Sequence, residues 1–173
     1  DMVNSLDQQV SGDLAFPSTD LQSAALVPGD TCADAPLLPL GVLITAQTTD
    51  DTSVHDDYHF WGQFDLGSSP CDSLTAFQYD APDTVYKVGV PTGKTLRVQA
   101  QSQLGWDLTV ALFTDCAMPA PSCAADADDA LPIGNPEQVE YTNGTGVTQT
   151  VFVVIDGWDT PEKGSYTIQA VLQ

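Results

Sequence analysis

Trp106-Asp107-Leu108-Thr109-Val110-Ala111-Leu112-Phe113-Thr114-Asp115-Cys116 is the stretch on which the fold reading turns. Leu108, Val110 and Leu112 fall on one face at a period of two while Thr109 points the other way, which predicts a strand with one side in a core. The chain then enters a loop containing Pro119 and Pro121, bounded by Cys116 and Cys123, and empties into Asp126, Asp128 and Asp129. A buried strand, a loop closed by cysteine and an acidic run together predict an extracellular β domain holding a hard cation.

Short strands separated by turn residues recur on both sides of that stretch. The pattern predicts strands at 42–48, 58–64, 84–90, 95–101, 107–113, 138–142, 148–155 and 165–172. Three alternate cleanly: Tyr86, Val88 and Val90 form one face, Leu96, Val98 and Ala100 a second, Tyr166, Ile168 and Ala170 a third. Pro91-Thr92-Gly93-Lys94 reads as a hairpin loop, and Asn143-Gly144 as a second tight turn. No segment keeps a helical period over three turns. The expected class is all-β, a two-sheet antiparallel β-sandwich. Residues 1–30 differ in composition, with sparse apolar positions broken by Pro17, Pro28 and Gly29. They are expected to form an extended N-terminal arm ahead of a domain spanning 31–173.

Charge narrows the partners. Asp and Glu number 24 against 4 Lys and Arg, a formal net charge of −20. Such a field repels phosphate backbones and anionic lipid, so nucleic acid is not an expected partner. No apolar run approaches the ~20 residues of a bilayer span, so no membrane insertion is expected either. Cations and basic protein surfaces are attracted. Much of the acidity is equally accounted for by hydration in salty surroundings.

Four cysteines among Pro- and Asp-rich loops suggest two disulfides and hence an oxidising, secreted or cell-surface location. Of the three pairings, Cys32–Cys71 with Cys116–Cys123 is the expected one, since the second pair brackets the short proline-rich loop. On the chain-entropy argument these loops would contribute roughly 4 and 2.5 kcal/mol. A zinc site is disfavoured because the C-x₂-C spacing is absent.

With those strands in place, the chain resembles the bacterial pre-peptidase C-terminal domain family, which is related to the collagen-binding domains of bacterial collagenases. The resemblance is carried by Ala81-Pro82-Asp83-Thr84-Val85-Tyr86, Pro91-Thr92-Gly93-Lys94, Trp106 to Phe113, and the acids between Cys123 and Asp129. Val151 to Trp158 and Gly164-Ser165-Tyr166-Thr167-Ile168 complete it, with Asp56-Asp57-Tyr58 resembling an acidic opening. It covers roughly residues 31–173 and leaves the arm outside. What it implies is a secreted, jelly-roll-like sandwich without catalysis, accessory to exported enzymes, in a family some of whose relatives bind calcium or extracellular polymers.

The expected cation is calcium, which takes six to eight oxygen ligands. Asp126, Asp128 and Asp129, joined by Asp107, form the first candidate set. Asp56 and Asp57, beside Asp50 and Asp51, form the second. At extracellular affinities, calcium would add roughly 0.5–1.5 kcal/mol. His55 and His59 straddle a loop and a strand entry, so they read as exposed rather than as a metal pair. Trp61, Trp106 and Trp158 read as seals of the sandwich ends before a carbohydrate or peptide groove. Asn143-Gly144-Thr145 fits a glycosylation acceptor, but the Asn-Gly turn explains it better. G-x-S-x-G, H-E-x-x-H and P-loop motifs are all absent. The expected function is a non-catalytic structural subunit of an extracellular filament or surface layer, self-associating through residues 1–30 by strand donation. The alternative is a monomeric binding module for a polymer or protein ligand, accessory to a secreted enzyme.

Overall fold

The computed structural model describes residues 29, 31–48, 71, 83–103, 105–116, 122–128, 134–157 and 162–173. Among them the chain forms eight strands: β1 (Leu43–Gln47), β2 (Thr84–Val90), β3 (Thr95–Ser102), β4 (Leu108–Phe113), β5 (Cys123–Ala127), β6 (Glu137–Thr142), β7 (Gln149–Gly157) and β8 (Ser165–Leu172). They make two antiparallel four-stranded sheets, ordered β1-β8-β3-β6 and β2-β7-β4-β5. The all-β sandwich is therefore as expected. No described helix is long and apolar enough to cross a membrane.

Alternation drives the packing between the sheets. Tyr86, Val88 and Val90 meet Leu96, Val98 and Ala100, with Tyr166, Ile168 and Ala170 beside them, in one apolar cluster with Leu108, Val110 and Leu112. Every one of these residues is buried. Side chains of this size each stabilise by roughly 1.5–3 kcal/mol when removed from water, so they hold the sheets face to face.

Strand β4 is buried on both faces. Its far side, through Ala111 and Phe113, joins a second cluster with Val85, Val154, Ala35, Cys71 and Cys123. Gly29 and residues 31–38 form a strap along β2. Gly29 and Val85 exchange two backbone hydrogen bonds (3.1 and 2.8 Å), while the Leu38 amide donates to Lys87 and the Lys87 amide to Pro36. Gly29 is required there, because a methyl group would sit 2.7 Å from the Ala35 Cα.

Three expectations are corrected. The cysteines pair as Cys32–Cys116 and Cys71–Cys123, with Cα atoms 6.0 and 6.1 Å apart. Proximity in sequence misleads because Cys123 sits in β5 opposite Phe113, on the outer face where Cys71 packs. The pairs close loops of 84 and 52 residues, each worth about 4 kcal/mol on the chain-entropy argument. Residues 123–127 are a strand, not a loop: the small side chains Ala125 and Ala127 lie opposite Leu112 and Val110. Pro91 to Lys94 forms the expected turn, with Gly93 at φ 73° and the Lys94 amide donating to the Pro91 carbonyl. It joins β2 to β3 in opposite sheets, however, so it is a corner rather than a hairpin. The strand expected at 58–64 lies outside the described residues.

Candidate binding face

Several polar groups inside the sandwich are committed to architecture. The Tyr166 hydroxyl lies 2.7 Å from both Tyr86 Oη and Thr84 Oγ1, a buried chain of hydroxyls linking β8 to β2 across the core. Burial pushes the Tyr86 phenol up to about 12, against a smaller opposing pull from its bond to Tyr166. Tyr166 is raised well above the ordinary tyrosine value, chiefly by burial. Trp106 packs edge-on against Tyr166 and its indole donates to the Ser165 carbonyl, so it seals the sandwich end. Trp61 and Trp158 lie outside the described residues.

Asn143 is wholly buried. Its amide nitrogen donates to the carbonyls of Val90 and Val147 at 2.7 and 2.8 Å, and its oxygen accepts from the Thr145 amide and hydroxyl. The Asn143 side chain is thus spent on its own loop as an Asx-turn, and the expected Asn-Gly tight turn is corrected: neither residue has a positive φ, and the segment crosses from β6 in one sheet to β7 in the other.

Three of the acidic candidates are described. Asp107 directly precedes β4, Asp126 lies within β5 opposite Ala111, and Asp128 directly follows β5. Among the described residues no group of three or more His, Cys, Asp or Glu has the placement to hold a metal ion. Asp129, Asp56, Asp57, Asp50, Asp51, His55 and His59 lie outside the described residues. So do residues 1–28, on which the expected self-association rests. The acids that sequence reading missed are Asp83, Glu137 and Asp156, all buried at strand ends. Asp156 accepts from the Gly157 amide. Only their position beside apolar strand residues hinted at burial.

Among the described residues, the outer face of the β1-β8-β3-β6 sheet is an open surface. Leu43, Gln169, Gln99 and Gln138 stand in one cross-strand row, and Thr45, Thr167 and Gln101 in the next. Val171, Arg97 and Glu140 form a third row, in which the guanidinium pairs with the carboxylate. The strands' outer residues thus carry one cation and one anion that cancel, on a chain of net charge −20. A depression of about 220 Å³ opens there, lined by Leu43, Gln99, Gln101, Thr167 and Gln169. Its amides and hydroxyls both donate and accept, and none is a nucleophile paired with a base.

Comparison with solved structures gives a likeness of shape. The chain is similar to the pre-peptidase C-terminal domain of a collagenase from Bacillus anthracis, with a TM-score of 0.47 and 13% identity, over 79% of this chain and 94% of that one. No protein-family model matches. No curated protein sequence matches. At this level of likeness no role is transferred from that domain.

Proposed function

We propose that the chain is a non-catalytic extracellular binding module, accessory to an exported enzyme, that meets a polymer or protein through the outer face of the β1-β8-β3-β6 sheet. The observation that carries this reading is the cancelled charge of that face on so acidic a molecule. Elsewhere carboxylates impose a hydration shell and a repulsive field. On this sheet an uncharged partner replaces water at glutamine and threonine without stripping an ion. Two disulfides support an oxidising, extracellular setting. The four strands present roughly 400 Å², below the ~800 Å² per partner of a stable protein pair. Weak contacts of that size gain force when repeated along a polymer. The proposal assigns no role to calcium.

Co-sedimentation with cellulose, chitin and insoluble elastin tests it. The reading expects retention that persists from low to high salt and is lost when Gln99→Glu and Gln169→Glu are combined. Retention that vanishes with salt would assign binding to the carboxylates. Retention indifferent to the two glutamates would remove the face from the account.

A further inference from the structure

The four sheet edges are not managed alike. An edge strand offers unpaired amides and carbonyls, and proteins guard such rows by covering, charging or bulging them. The β2 edge is covered by the strap, through Gly29, Leu37 and Leu38. The β5 edge carries Asp126 and a register shift at Leu112/Phe113. The β6 edge carries Glu137 and Glu140. Strand β1 has none of these devices among the described residues. From Ala35 to Thr49 the chain has no charge at all. Leu37, Leu40, Val42 and Leu43 are exposed in that run, and Val147 is the one other large aliphatic so exposed among the described residues.

Backbone geometry says which groups are open. The Thr48 amide donates to the Gly164 carbonyl, and antiparallel pairs alternate between bonded and non-bonded positions. Ile44 and Ala46 therefore bond to β8, while the amides and carbonyls of Leu43, Thr45 and Gln47 face away from it. The side chains of those same three residues stand on the uncharged face. A strand laid against β1 would extend the Leu43-Gln169-Gln99-Gln138 row by one position.

We infer that β1 is a strand acceptor, and that its occupant is an extended segment of a partner protein, aliphatic at alternate positions and basic at its flanks. This rests on the binding-module reading above and takes its protein-ligand case, in which an uncharged stretch of the partner meets the face and its basic ends lie beyond it. The aliphatic positions answer the exposed leucines. The basic flanks answer the net charge of −20, which also opposes a second copy of this chain.

The test uses the full, disulfide-intact chain, with amide exchange read residue by residue. The probe is a short blocked peptide alternating valine with lysine and threonine, and its control has the same sequence N-methylated at the pairing amides. The inference expects the peptide to slow exchange at Leu43, Thr45 and Gln47 by roughly tenfold or more, and the control to do nothing there. Thr45→Pro removes one outward donor without touching the β8 ladder, so it should weaken the peptide by about tenfold. Leu43→Asp, an edge charge, should do the same if the proline variant fails to fold. Equal binding of the control would overturn the inference, as would protection at the β5 or β6 edge. Dimerisation of the free chain through β1 would overturn it by making a second copy the occupant. Salt-resistant retention on cellulose or chitin with no peptide effect would overturn strand addition and leave the binding face standing.

Discussion

Replacing Tyr166 by Phe removes one oxygen from the centre of the core and changes almost no volume. That oxygen is within 2.7 Å of both Thr84 Oγ1 and Tyr86 Oη, all three residues being fully buried. Its loss leaves two hydroxyls without the bond they now make. A buried polar group deprived of its partner costs about 1–3 kcal/mol, and partial relaxation brings the expected total to about 2–4 kcal/mol. At this chain length that lowers Tm by roughly 5–15 °C. Tyr86→Phe removes only one end of the chain of hydroxyls, so about 1–2 kcal/mol is expected. Alkali gives an independent reading of the same site. Both phenols have folded values above the ordinary 10, Tyr86 at about 12, so the folded state holds its protons longer than the unfolded state. Their contribution is therefore fully present below pH 10 and falls as pH rises above it. Tyr86 alone removes roughly 2 kcal/mol by pH 12. Urea unfolding of the wild type and both variants between pH 7 and 12 measures this, with the Tyr86→Phe decline expected to be shallower than that of the wild type. A Tyr166→Phe cost under about 0.5 kcal/mol, or phenols that both titrate near 10, would refute the buried hydroxyl chain.

Three further outcomes follow from packing and covalent structure. Gly29→Ala drives a methyl group into the Ala35 backbone, 2.7 Å from Cα and 2.8 Å from the nitrogen, and should cost about 1–3 kcal/mol with faster amide exchange at Val85. Asn143→Ala strips partners from the carbonyls of Val90 and Val147 and the Thr145 amide, and should cost about 3 kcal/mol in urea unfolding. Peptide mapping without reduction should link Cys32 to Cys116 and Cys71 to Cys123. The double variant Cys71→Ser with Cys123→Ser should lose up to about 4 kcal/mol of stability.

What the sequence revealed follows the physics of alternation. Tyr86, Val88 and Val90 on β2 and Tyr166, Ile168 and Ala170 on β8 declare their strands because one face is apolar and the other polar. Strand β5 declares nothing. Cys-Ala-Ala-Asp-Ala has no β-branched or aromatic residue, and it is a strand because β4 pairs with it. The disulfide connectivity was illegible for a related reason: pairing reports which loops meet on the outer face of a sheet, and no spacing in the chain encodes that. The strap over Ala111 and Phe113 was hidden likewise, since Thr109-Val110-Ala111 alternates no differently whether its second face is wet or covered. The candidate face had its residues in plain view, Gln99, Gln101 and Gln169 among them. Their common lack of charge became a property only when register set β1, β8, β3 and β6 side by side.

The claim that the β1-β8-β3-β6 sheet is the contacting surface is open to a direct footprint. Hydroxyl-radical labelling of the chain held on the polymer that retains it compares two exposed aliphatic sites, Leu43 at 57% on the face and Val147 at 67% on a loop between the sheets. The account predicts that labelling of Leu43 drops severalfold on binding while Val147 is labelled as in the free chain. Unchanged labelling of Leu43 in the bound state would contradict it.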